Sequence, residues 1–77
     1  LITAKSRAHA NIRGAQGNSP LHLAAQNGHV DCVRKLVELG ALVNAQNTNK
    51  ITPMMLAAQH GHLEVVRALV DAGANIM

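Results

Sequence analysis

Two stretches decide the fold: Ser19-Pro20-Leu21-His22-Leu23-Ala24-Ala25-Gln26-Asn27-Gly28-His29 and, 33 residues later, Thr52-Pro53-Met54-Met55-Leu56-Ala57-Ala58-Gln59-His60-Gly61-His62. Aligning 11–43 with 44–76 gives 14 identities in 33 positions. Chance would give about two at average residue usage. Identities include Asn11/Asn44, Pro20/Pro53, Gly28/Gly61, His29/His62, Arg34/Arg67, Leu36/Leu69 and Gly40/Gly73. Near-matches include Ser19/Thr52, Asp31/Glu64 and Glu38/Asp71. A period of this length marks a stacked-repeat architecture, in which each unit buries its apolar face against its neighbour.

Each unit reads as helix, turn, helix, loop. Ser19 and Thr52 are caps for free N–H groups, and Pro20 and Pro53 occupy the first helical position, where no N–H is missed. The alanines that follow are small enough to let helices approach closely. Asn27-Gly28 and His60-Gly61 stop the short first helix. A second helix is predicted over 30–39 and 63–72. Its apolar residues Val30, Val33, Leu36, Val37 and Leu63, Val66, Leu69, Val70 recur at helical spacing. Gly40 and Gly73 end it. The pairs Asp31–Arg34, Arg34–Glu38, Glu64–Arg67 and Arg67–Asp71 are spaced to pair on the outer face. Segments 11–18 and 44–51 carry turn chemistry and read as hairpin-like loops projecting from the stack.

These residues resemble the ankyrin repeat. The likeness rests on the two stretches quoted above, followed by Leu36-Val37-Glu38-Leu39-Gly40-Ala41…Val43-Asn44-Ala45 and Leu69-Val70…Gly73-Ala74-Asn75-Ile76. It implies an all-α solenoid of stacked helix-turn-helix repeats with β-hairpin-like connecting loops. The expected organisation is 1–16 as the tail of a preceding irregular repeat plus its loop, then repeats at 17–46 and 47–77. Lys5-Ser6-Arg7 stands where a glycine would stop the earlier helix. Both ends break off within a repeat, so flanking ankyrin repeats of the same parent chain are expected.

The resemblance also assigns roles. His22 would be a strut that ties its helix start to a neighbouring loop, a strut that Met55 cannot supply. Lys50 stands where the family has glycine, and a left-handed backbone there would cost it about 1 kcal/mol. Asn47 replaces the usual Asp. Partner contacts in the family come from loop tips and the exposed side of the first helix. Carried over by position, these are Arg13, Ala15, Gln16, Asn18, Gln26 and Asn27, then Gln46, Thr48, Asn49, Ile51, Gln59 and His60. Asn44 lies where ankyrin repeats can be hydroxylated, although an amide in a turn has an ordinary structural use.

Composition narrows the function. Among 77 residues there are no aromatics, so base-stacking platforms and aromatic cages are absent. The single cysteine, Cys32, excludes an internal disulfide and reads as a small core residue. Its reduced state favours the cytosol or nucleus. The four acids lie on outer helix faces, no phosphate loop follows a strand, and two histidines at 60 and 62 lack a third ligand. No enzyme activity, cofactor or metal is expected. No segment approaches the ~20 apolar residues that span a bilayer. The net charge of +3 is concentrated near the start, with Lys5, Arg7 and Arg13. The leading expectation is a non-catalytic module that offers a polar surface to a protein or peptide. The alternatives are a basic surface for an anionic ligand or nucleic acid built from Lys5, Arg7, Arg13 and Lys50, and substrate-recruiting repeats of a larger enzyme.

Overall fold

The structure, a computed structural model, describes residues 3–75. Five helices follow one another: α1 (Ala4–Ala10), α2 (Pro20–Gln26), α3 (Val30–Glu38), α4 (Pro53–Gln59) and α5 (Leu63–Asp71). A tight turn, Ala15–Gly17, sits in the first loop, and there is no strand among the described residues. Helices α2/α3 and α4/α5 form two equivalent hairpins. Helix α2 packs along α4, and α3 along α5. The predicted stack is therefore present, with Pro20 and Pro53 opening corresponding helices.

The local reasons are those read from the residues. Ser19 Oγ accepts from the His22 backbone N–H at 3.3 Å, and Thr52 Oγ1 from that of Met55 at 3.3 Å. Gly28 has φ of +72°, and a Cβ there would lie 2.7 Å from His62 Nδ1, so the α2–α3 turn needs glycine for conformation and for space. The second helices end one residue earlier than expected, at Glu38 and Asp71.

The core is a seam of small and branched side chains. Leu21, Ala24 and Ala25 of α2 meet Met54 and Ala57 of α4, with Val33, Val65 and Leu69 behind them. Small residues let the two helix backbones approach closely, which places the loops that follow each repeat side by side.

Four sequence expectations change. Cys32 is exposed, whereas its counterpart Val65 is buried. Position 65 faces the first repeat; position 32 faces outward from it. Leu63 and Val70 are likewise exposed, at 76% and 38%, and Val65 takes the core place instead. Helical spacing identifies a stripe but not which of its edges a neighbouring repeat covers. Among the described residues only Glu64–Arg67 forms an ion pair, at 4.0 Å between well-exposed side chains, and such a pair contributes little. Lys5, Ser6 and Arg7 lie inside α1, which Thr3 and Ser6 cap reciprocally. A local capping box thus starts a helix at the register where a glycine was expected to end one.

The loops are hairpin-like without forming a ladder. In the first, the Asn18 N–H donates to Ala15 O at 3.2 Å across Gln16 and Gly17, both at positive φ (60° and 72°), a geometry favoured in tight hairpins. In the second, Asn47 Oδ1 accepts from the Asn49 and Ile51 N–H groups at 2.9 and 3.0 Å. Lys50 has φ of 63°, the left-handed value that penalises a residue with a Cβ.

Two stability outcomes follow from this packing. Lys50→Gly should raise the unfolding free energy by about 1 kcal/mol, read as a higher urea midpoint at unchanged slope. Ala25→Leu should lower it by about 1–3 kcal/mol, because the buried seam has no room for three more carbons.

Candidate protein-binding surface

The second loop is anchored to the first repeat by side chains, several of which recur with the period. His22 Nδ1 accepts from the Ser19 N–H at 3.1 Å, and His22 Nε2 donates to Ile51 O at 2.7 Å. Asn47 Nδ2 donates to Asn18 Oδ1 at 2.9 Å. Thr48 N–H donates to Gln16 O at 3.0 Å. A Cβ on Gly17 would lie 2.8 Å from Thr48 Oγ1, so the close approach of the two tips depends on glycine. Asn11 accepts from Leu42 N–H at 2.8 Å and donates to Gly40 O at 3.1 Å. Asn44 repeats both contacts with Asn75 N–H and Gly73 O, at 2.7 and 3.4 Å. His62 Nε2 donates to Gln26 O at 3.0 Å, joining the α4–α5 turn to the end of α2.

The twelve candidate contact residues therefore divide. Arg13 Nη1 donates to Gly17 O and Gln46 O, both at 2.8 Å, and so stitches one loop to the next. Asn18 pairs with Asn47, Asn27 Nδ2 donates back to Leu23 O at 3.0 Å, and the Ile51 carbonyl receives His22. These four hold the frame. The side chains of Gln16, Gln46, Thr48, Asn49, Gln59 and His60 are exposed and make no hydrogen bond among the described residues. Ala15 is exposed, and Gln26 is half-buried. His60 stacks on His62 with centroids 6.2 Å apart. The amide of Asn44, the hydroxylation candidate, is engaged at both ends, although the residue is exposed.

The sequence did not reveal Arg13 as a stitch, because Gln46 stands at its counterpart and the period is silent there. The loop-anchoring use of Asn11, Asn44 and His62 had a signal in their recurrence at 33 residues.

Burial pushes the His22 pKa down, helped by the Arg13 charge; the hydrogen bond to the Ile51 carbonyl and the nearby Ala45 carbonyl act the other way and lose. His22 is thus neutral at pH 7. Lys5, Arg7 and Lys50 are exposed. Among the described residues, no group of three or more His, Cys, Asp or Glu side chains could hold a metal ion, and no helix is long and apolar enough to cross a membrane. An apolar groove of about 390 Å³, lined by Pro20, Leu23, Ala24, Cys32, Lys35 and Leu36, opens on the first repeat.

Comparison with known proteins agrees with this architecture. The family description "ankyrin repeats (3 copies)" matches residues 1–77. Protein fem-1 homolog C of Homo sapiens is 44% identical over 45 residues, which is 58% of this chain and 7% of that protein. The probable E3 ubiquitin-protein ligase XBOS32 of Oryza sativa subsp. japonica is 54% identical over 33 residues, 43% of this chain and 7% of the relative. Ankyrin repeat domain-containing protein 49 of Bos taurus is 51% identical over 37 residues, 48% of this chain and 16% of the relative. The chain thus spans a small part of the length of each. Repeats of this kind are generally protein–protein interaction modules and are typically non-catalytic. With two capped helix hairpins in equivalent poses, a further helix before them and a family match along its whole length, the chain belongs to the ankyrin-repeat family.

Proposed function

We propose that this segment binds a protein or peptide through the loop tips and the adjoining side of α2 and α4, without catalysis of its own. The supporting observation is the division among the polar residues. Arg13, Asn18, Asn27 and Asn47 commit their hydrogen bonds to the frame, while Gln16, Gln46, Asn49 and Gln59 stand exposed on that frame with their amides uncommitted. Amides held on a rigid support recognise backbone and side-chain polar groups with little further loss of ordering entropy. Substrate recruitment for a catalytic domain elsewhere in the parent chain would be a form of the same binding role.

Further repeats of the parent chain fit both ends of the stack. Ala25 and Val65 are buried where the two repeats meet, while their counterparts Ala58 and Cys32 are exposed. A neighbouring repeat on each side would cover them as the two repeats cover each other. The unpaired Cys32 thiol suits a reducing compartment such as the cytosol or nucleus.

The test is capture of partners from the native host, with wild-type chain compared against the combined Gln16→Ala, Asn49→Ala and Gln59→Ala variant. The partner identified with wild type should bind the variant at least about tenfold more weakly by calorimetry, at unchanged far-UV circular dichroism. Equal affinity would move the contact to another surface. The basic-surface reading using Lys5, Arg7, Arg13 and Lys50 predicts instead an affinity that falls steeply with salt, by about one log unit per log unit of salt for each phosphate neutralised.

A further inference from the structure

A groove of about 330 Å³ runs between α3 and α5. None of the candidate contact residues on the loop tips, α2 or α4 lines it. Its floor is apolar: Val33 is buried, and Val37, Ala68 and Ala72 are half-buried. A departure from the period opens it. Ala68 and Ala72 stand where the first repeat carries Lys35 and Leu39. Two side chains that end at one carbon leave a trough along the valines of α3, although the two helices pack together elsewhere.

The mouth of the groove is charged. Glu38 and Asp71 are the last residues of α3 and α5, and both line the groove from exposed positions. An acid in the last helical turn faces the negative end of the helix dipole, so each stands where its own helix disfavours it. A cation within reach would relieve this. Arg34 and Arg67 are spaced to provide one, yet among the described residues neither Glu38 nor Asp71 forms an ion pair, and Arg67 instead meets Glu64 at 4.0 Å. Arg34 also lines the groove. Two carboxylates against one guanidinium leave the mouth anionic on a chain whose net charge is +3.

We propose that this groove is a second docking site, which takes an arginine side chain from a basic segment of a partner protein. Each half of the groove matches one half of that side chain. The methylene stem lies along apolar surface while the charged head stays at the polar edge. The planar guanidinium carries five donors in a fixed fork, enough to pair one carboxylate bidentately or to bridge Glu38 and Asp71. Bound there, it offsets the unfavourable charge at both helix ends. An uncharged apolar side chain would cover the floor and leave both acids as they are, and an acidic one would be repelled. The site is built on α3 and α5, so it does not depend on the loop-tip surface having a partner.

The probe is the blocked tripeptide N-acetyl-alanyl-arginyl-alanine amide, titrated into the isotope-labelled chain at low salt and followed by NMR. The matched control carries norleucine in place of arginine. The arginine peptide should shift the amide signals of Val37, Glu38, Asp71 and Ala72 with a millimolar dissociation constant, and the norleucine peptide should bind at least about fivefold more weakly. The combined Glu38→Gln and Asp71→Asn variant should lose about five- to tenfold in affinity for the arginine peptide, because only the charge pairing is removed. Ala68→Lys, which installs the first repeat's residue, should abolish binding by filling the groove and supplying its own cation. Equal affinity for the two peptides, unchanged affinity in the carboxamide variant, or the absence of shifts at the groove would overturn the proposal. So would shifts at Asp31 and Glu64 as large as those at the groove, which would mark general attraction to surface acids. If a variant loses helical content by circular dichroism, the contrast between the two peptides on the wild-type chain decides it.

Discussion

The structure depends on how closely α2 can lie against α4. That distance is set by Ala24, Ala25 and Ala57, whose side chains end at one carbon. Close backbones bring the two loops within hydrogen-bonding range, so that Thr48 N–H reaches Gln16 O and Arg13 reaches Gln46 O. A bulkier seam would separate the repeats and strand those groups. Apolar burial here is non-directional. The direction of the stack comes from the polar contacts that the seam permits.

Those contacts are mostly side chain to backbone. His22, Asn11, Asn44 and His62 each satisfy main-chain groups on the neighbouring turn or loop, and no buried side-chain polar atom among the described residues lacks a partner. Loops without a strand ladder need such partners, because their own N–H and C=O groups do not pair along a sheet. The frame so produced leaves a second population of polar residues unbonded at the loop tips. The proposed binding role falls on those residues because their side chains stand exposed on that frame with their amides free.

The same device explains why the two repeats are not equivalent despite their shared plan. Ser19 and His22 cap α2 reciprocally, whereas Thr52 caps α4 alone and Met55 is exposed. Gly17 relieves its loop both sterically and in backbone conformation, whereas Lys50 adopts a similar φ with a side chain. The second loop compensates through Asn47, which folds over its own backbone and also reaches Asn18.

By itself the sequence determined the period, the caps and the helix pairs, because each follows from local stereochemistry or from a motif repeated 33 residues apart, whereas the strut role of His22 came from the resemblance to the ankyrin repeat, since Met55 stands at its counterpart. It also marked Lys50 as a misfit, since a backbone of positive φ accounts for a glycine at that register. Tertiary structure alone decided which apolar positions are covered. Cys32 and Val65 share a register, yet one is exposed and the other buried, because burial depends on the neighbouring repeat and not on the helix that carries the residue. It alone showed that Arg13 is committed to the frame while Gln16 is not. Both look equally available in a list of loop residues, and only the position of the next loop, across the alanine seam, distinguishes a stitch from an exposed, unbonded side chain.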